Sequence, residues 1–286
     1  MSAGFDATRA LMWLRRKDIP KAAAAIEAAV SAALSPRIAR VRYAAMYLRG
    51  EVMPAALALK LAAGERKDGQ KPHPVAELVR ACALAELGRD DEAKTVLQAL
   101  VALGGGDDAA LMGRRGDGMG PRNAVLRTWH RFAEKALVGH RIALATWALK
   151  ASVEAGSPIP AAGAAAQIIR QRLELDHTLT AEHRETLASL ALEFLEPTQL
   201  RSGLLVRNVT MLADLHEGRG DLQAAEHVYR EALTRYPLEA TLYNNLAYLL
   251  ARHSRKLGEA LRLVKTAQRL KPEANDAYLD TEGWIL

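Results

Sequence analysis

Cysteine and histidine side chains carry the thiolate and imidazole groups that most often bind metals or act as nucleophile and base. The single cysteine, Cys82, sits in the apolar stretch LVRACALAEL, which holds no histidine. We therefore expect a buried structural thiol. Among the eight histidines, His177 and His183 are six residues apart, which fits neither the i,i+4 pair of a helical metal site nor a zinc finger. The sequence predicts no metal, no cofactor and no catalytic residue.

A glycine-rich segment, GGGDDAALMGRRGDGMGPRN, has seven glycines between Gly104 and Gly120. Such a run could cradle a phosphate, but it lacks Gly-Lys-Ser/Thr and follows no strand pattern. No serine lies in a nucleophile elbow either. The segment therefore predicts a flexible loop over residues 104–122, and the chain as a whole is not expected to be an enzyme.

The composition favours helices. Half of the residues are hydrophobic but only 5% are aromatic, and much of the apolar content is alanine, which has the best helix propensity. No Asn-Gly or Asp-Gly turn separates alternating apolar runs. No stretch approaches the ~20 apolar residues of a membrane span, and the start lacks a signal-peptide core. We expect an all-α protein that is cytoplasmic as written, or envelope-associated if a leader has been removed.

The net charge of +6 is concentrated at the N-terminus. Residues 1–72 contain 13 Lys/Arg and 6 Asp/Glu, whereas the rest of the chain is nearly neutral. The basic excess includes Arg37, Arg40, Arg42 and Arg49. It could attract an acidic partner or a nucleic acid, although a solvated surface is the favoured interpretation.

The C-terminal third contains a repeat. GDLQAAEHVYREALTRYP ends at Pro237, and the looser KLGEALRLVKTAQRLKP ends 35 residues later at Pro272. One helical hairpin cannot bury its apolar face alone, so it stacks on a copy of itself, with small residues where the helices cross. A proline ends the second helix of each copy. The turn of the second copy has one extra residue, where HSRK replaces Gly-Asp.

This pattern resembles the tetratricopeptide repeat, a 34-residue helix–turn–helix family. The matching residues are Leu212, Ala213, Gly220, Asp221, Ala225, Tyr229, Ala232 and Pro237, followed by Tyr243, Leu246, Ala247, Ala260, Ala267 and Pro272. The resemblance implies a right-handed α-solenoid of stacked hairpins, of the kind found in bacterial repeat scaffolds.

Weaker copies precede these repeats. Ala22 and Ala55 are 33 residues apart, and Gly88 and Ala93 are spaced like Gly220 and Ala225. We predict degenerate hairpins over 1–103, the loop 104–122, divergent hairpins over 123–200 and repeats over 201–286. The last segment divides into 206–239, 240–274 and a partial repeat 275–286, and the array is expected to continue beyond Leu286.

The resemblance also implies a binding surface, because the first helix of each repeat lines the inner face of such arrays. Carried over position by position, the groove residues are Arg207, Thr210, Met211, Asp214, Thr241, Asn244, Asn245, Tyr248, Arg252, Asp280, Thr281 and Trp284. Asn245 stands where family members often place an asparagine that hydrogen-bonds a peptide backbone. The lysines of the chaperone-type carboxylate clamp are absent, so an acidic C-terminal tail is not the implied ligand.

The implied function is a non-catalytic scaffold that binds a peptide segment or helix of another protein, with Tyr248 and Trp284 as apolar anchors. Two alternatives stay open. One is a nucleic-acid-associated adaptor that uses the basic N-terminal quarter, with nucleic acid the less favoured partner. The other is a regulatory arm of an enzyme whose catalytic domain lies beyond Leu286.

Overall fold

The computed structural model describes residues 2–49, 53–64, 72–104, 121–155, 158–196, 206–253 and 256–286. Over these ranges the chain forms fifteen α-helices and no strand, which confirms the predicted all-α class. Contacts within the chain divide it into two compact units, Met1–Pro158 and Ile159–Leu286.

The first unit contains eight helices. They are α1 Ser2–Arg15, α2 Ile19–Ser31, α3 Pro36–Leu48, α4 Ala55–Ala63, α5 Pro74–Glu86, α6 Asp90–Ala102, α7 Pro121–Val138 and α8 Ile142–Ala155. Consecutive helices pack as hairpins, and α3, α5 and α7 are also neighbours of one another. Ala22, Ala55 and Ala93 are buried near the starts of α2, α4 and α6, because only a small side chain fits where helices approach closely.

Cys82 is buried on α5, as the sequence predicts. Burial raises the pKa of its thiol to about 12, so the thiol is neither ionised nor nucleophilic near neutral pH. Its own carbonyl accepts a hydrogen bond from the Tyr47 hydroxyl at 3.2 Å, which ties α3 to α5.

The second unit contains the other seven helices. They are α9 Pro158–Leu175, α10 Ala181–Leu195, α11 Val206–Gly218, α12 Leu222–Arg235, α13 Ala240–Arg252, α14 Leu257–Leu270 and α15 Asn275–Ile285, with a 3-10 turn at Pro272–Ala274 before the last. The repeat positions form the core: Ala225, Tyr229, Ala232, Ala260, Val264 and Ala267 are all buried. Helices α11, α13 and α15 contact one another in turn, so the first helices of the three copies share one face.

The turns between paired helices explain the repeat's glycine and aspartate. Gly220 has φ +81°, a conformation that costs glycine little. The Asp221 side chain then accepts a hydrogen bond from the Ala224 amide at 3.0 Å and caps α12. In the second copy Lys256, the N-cap residue of α14, has φ +51° and its side chain makes no capping hydrogen bond.

Two predictions about segments stay open. The glycine-rich loop 104–122 falls mostly on residues outside the described ranges. The predicted segment 123–200 lies partly in each unit, with α7 and α8 in the first and α10 in the second. The four-part division therefore remains a prediction about repeats.

Candidate partner-binding groove

The predicted groove residues lie on the face shared by α11, α13 and α15. Six are exposed, namely Arg207, Asp214, Tyr248, Arg252, Asp280 and Trp284. Four are half-buried, namely Thr210, Thr241, Asn244 and Asn245. Met211 and Thr281 are only 2% and 5% exposed, so these two side chains pack inside the unit and offer a ligand almost no surface.

Two aromatic side chains meet on this face. The ring centroids of Tyr248 and Trp284 are 6.4 Å apart at an interplanar angle of 67°, an edge-to-face arrangement. Tyr248 is 40% exposed and Trp284 is 68% exposed, so the pair is held in place and still largely accessible. The two rings join α13 to α15 and leave apolar surface facing solvent.

Asn245 is engaged within the protein. Its Nδ2 group donates a hydrogen bond to the Thr210 hydroxyl at 3.0 Å, linking α13 to α11 across 35 residues of sequence. Both side chains interact with the Tyr229 hydroxyl on α12. Burial raises the pKa of Tyr229, and the nearby Asp214 carboxylate raises it further, so the phenol stays neutral. Asn245, which the family resemblance assigned to peptide binding, therefore also links α11, α12 and α13 beneath this face.

Other polar groups tie α11 to α13. The Glu217 carboxylate forms an ion pair with Arg252 at 3.3 Å and lies 2.6 Å from the His253 ring nitrogen. By contrast, the side-chain carbonyl of Asn244 is buried and has no hydrogen-bond partner among the described residues. Arg252 therefore lies at the groove edge as half of an ion pair.

A cleft that the sequence did not indicate adjoins the same face. It measures about 430 Å³ and lies between α9, α10 and the end of α11. Asp214 is the groove residue that reaches it. Because α9 and α10 carry little of the repeat signature, nothing in the sequence aligned them with the groove.

The part of the chain that the structure describes shows neither a metal-binding cluster nor a membrane-spanning helix. It contains no cluster of three or more His, Cys, Asp or Glu side chains that could hold a metal ion. Nor does any helix there have the length and apolar character that crossing a bilayer requires.

In the basic N-terminal quarter, Arg40 pairs with Glu27 at 3.0 Å, and Arg37 and Arg49 also have partners.

Comparison with known proteins agrees with this geometry. Residues 206–249 match the tetratricopeptide repeat family model. A TPR repeat-containing protein of Pseudomonas aeruginosa is 39% identical over 71 residues, which is 25% of this chain and 12% of that relative. The chain thus spans only a small part of the length of this relative.

Solved structures of the same type also align. One is a thermophilic TPR protein of Thermus thermophilus, at 16% identity and TM-score 0.43, covering 73% of this chain and 97% of that one. Another is the C-terminal part of a TPR repeat-containing protein from Cytophaga hutchinsonii, at 15% identity and TM-score 0.42, covering 84% and 83%.

Residues 206–249, which form α11, α12 and most of α13, therefore match the tetratricopeptide repeat family. This fold indicates a protein–protein interaction scaffold, and proteins of the family are generally non-catalytic. The nucleic-acid and enzyme-arm alternatives stay predictions.

Proposed function

We propose that the face formed by α11, α13 and α15 binds a segment of a partner protein. The observation that carries the proposal is the exposed aromatic pair Tyr248–Trp284, already ordered by its edge-to-face contact. Ordered aromatic rings lose little conformational entropy on binding, which is why tyrosine and tryptophan dominate interface energetics. A helix or extended segment with one apolar residue would bury these two rings.

The polar groups around the pair would give the bound segment its register. Thr241 is half-buried beside Asn244 and Asn245 on α13, and Arg252 and Asp280 are exposed at the edges. Hydroxyl and amide groups can both donate and accept, so they suit a peptide backbone. Asn245 already bonds Thr210 and interacts with Tyr229, so Thr241 and Asn244 are the polar side chains of α13 that would meet the segment first.

The test is affinity capture with purified protein, followed by titration of the captured partner. Wild type is compared with a Tyr248→Ala, Trp284→Ala double variant and with Leu238→Ala as a control. Leu238 is 80% exposed in the turn before α13 and lies outside the groove. We expect wild type and the control to retain the same partner and the double variant to lose at least about tenfold in affinity. Equal affinity of all three proteins would exclude this face.

A further inference from the structure

The cleft beside the groove has the size of a ligand pocket. At about 430 Å³ it falls within the ~300–1,000 Å³ range of small-molecule sites. Its walls come from α9 (Arg170, Leu173, Glu174), from α10 (Ala181, Arg184, Glu185, Ala188) and from α11 with the following turn (Asp214, Leu215, Gly218, Arg219). All of these residues belong to the second unit. We refer to it as the α9–α11 cleft.

The arginines that line the cleft are already engaged by the chain itself. Arg170 forms an ion pair with Glu174, one turn further along α9. Arg184 donates to the carbonyl oxygens of Leu173 at 2.9 Å and Asp176 at 2.7 Å, and so satisfies the end of α9.

The third arginine, Arg219, pairs with Glu185 at 2.6 Å. The Glu185 carboxylate accepts a second bond from Ser189 at 3.2 Å. These five charged side chains therefore all have partners within the protein: Arg170 and Arg219 pair with glutamates, and Arg184 is held by backbone carbonyls.

Asp214 is the exception. Among the residues that the structure describes, its carboxylate has no hydrogen bond and no ion pair, although its side chain reaches both solvent and the cleft. The surrounding protein removes enough water to raise its pKa to about 6; Glu217 and Glu174 add to this, while Arg170 and Arg252 oppose it. A carboxylate held in this way gains from a cation that approaches it.

We propose that the α9–α11 cleft receives a lysine or arginine side chain of the bound partner segment, with Asp214 as its counter-ion. The apolar walls suit such a side chain, since Leu173, Leu215 and Ala188 can cover the methylene stem. The inference rests on the proposed function, because the cleft adjoins the groove through Asp214. The inference therefore specifies a partner segment that carries a lysine or arginine in addition to the apolar residue that contacts the aromatic pair.

Charge complementarity favours this occupant over an anionic one. An incoming carboxylate would meet Asp214, and it would find two of the three arginines paired with glutamates and Arg184 bound to two backbone carbonyls. The cation, by contrast, leaves both existing pairs intact.

Binding of a cation here depends on pH. Asp214 must be ionised, so affinity falls as the pH drops through about 6. The charged and titratable groups that face Asp214 or line the cleft come from five elements. They are Arg170 and Glu174 on α9, Arg184 and Glu185 on α10, Glu217 on α11, Arg219 in the following turn, Tyr229 on α12 and Arg252 on α13.

The test follows the Asp214 carboxyl directly, by carbon NMR of protein labelled at aspartate carboxyl carbons. Three probes are titrated at matched ionic strength: N-acetylarginine amide, its neutral isostere N-acetylcitrulline amide, and N-acetylglutamate amide. We expect the arginine compound to lower the Asp214 titration midpoint by about 1 pH unit or more, and the other two to leave it unchanged. Asp214→Asn identifies the resonance. Asp276→Asn, an exposed carboxyl on α15, should leave the effect intact.

Each other outcome overturns the inference. An equal effect of the citrulline compound would mean a purely apolar pocket, and an effect of the glutamate compound alone would mean an anion site. If no probe shifts the midpoint, the cleft does not bind this chemistry. Because the probes need no groove partner, such failures leave the proposed function standing. Conversely, if no partner binds the groove while the arginine compound still shifts the Asp214 midpoint, the proposed function fails and the cation site in the cleft stands.

Discussion

The hydrogen bond between Asn245 and Thr210 makes a sharp prediction about stability. The family resemblance gives Asn245 a role in ligand binding only. In the structure this side chain instead joins α13 to α11 at 3.0 Å and contacts the buried Tyr229 hydroxyl. We therefore expect Asn245→Ala to destabilise the second unit.

The magnitude follows from what the substitution removes. A neutral hydrogen bond contributes about 1 kcal/mol, and a half-buried hydroxyl left without its partner adds a desolvation cost, so the total is about 1–2 kcal/mol. Thr210→Val removes the same bond from the other side. If the two side chains stabilise each other, the double variant should lose less than the sum of the single variants, by about 0.5–1 kcal/mol.

Hydrogen exchange of the backbone amides in α11 and α13 is the suitable assay, because two compact units do not guarantee a single unfolding transition. A loss of 1–2 kcal/mol corresponds to roughly 5- to 30-fold faster exchange. Thr241→Val is the matched control, since no side-chain hydrogen bond of Thr241 is found among the described residues, and it should change exchange less than about twofold. Additive single and double variants would refute the coupling.

Three further predictions concern the repeat hairpins. Gly220→Ala should lower the free energy of unfolding in urea by about 1–2 kcal/mol, because alanine is strained at φ +81° even though no atom lies within 4 Å of the added Cβ. Gly218→Ala is the control: it has the same free space without a positive φ, so it should be neutral or stabilising. Glu226→Gln should cost about 1–2 kcal/mol at pH 7. Burial raises the pKa of Glu226, but hydrogen bonds from Lys256 and Arg230 lower it more, so the folded-state pKa lies below the ordinary 4.5. The difference in unfolding free energy between Glu226→Gln and wild type should therefore vanish as the pH falls below about 4.5, where the carboxyl becomes protonated. A constant difference down to pH 3 would contradict this. Ala225→Leu should cost about 1–3 kcal/mol through overpacking at a 0%-exposed crossing, seen as a lower melting temperature.

The stacked-hairpin fold could be predicted from a few residue types at repeat spacing. Alanines at the crossings, Gly220 in the turn and Pro237 after the second helix each have a local reason to be where they are. The structure buries the alanines and gives Gly220 a left-handed backbone. These residues carry their own conformational preferences, so a single sequence reveals them.

The candidate groove could be predicted only as a face. The family resemblance implies that Thr210, Tyr248 and Trp284 share one face, and the structure leaves Tyr248 and Trp284 exposed together. The sequence alone could not distinguish Met211 and Thr281, which are buried, from their accessible neighbours. Burial at the edge of a helical face depends on which neighbouring helix covers it, and that is a tertiary property.

By itself, then, the sequence determined the helical class and the hairpin repeat, because these follow from local propensity and spacing. Only the tertiary structure decided that Asn245 bonds Thr210, that Arg219 is matched by Glu185, and that Asp214 borders a cleft. Asn245 and Arg219 meet partners 35 and 34 residues away, on helices brought together by stacking. No local pattern encodes such a pairing, because it depends on how neighbouring hairpins pack.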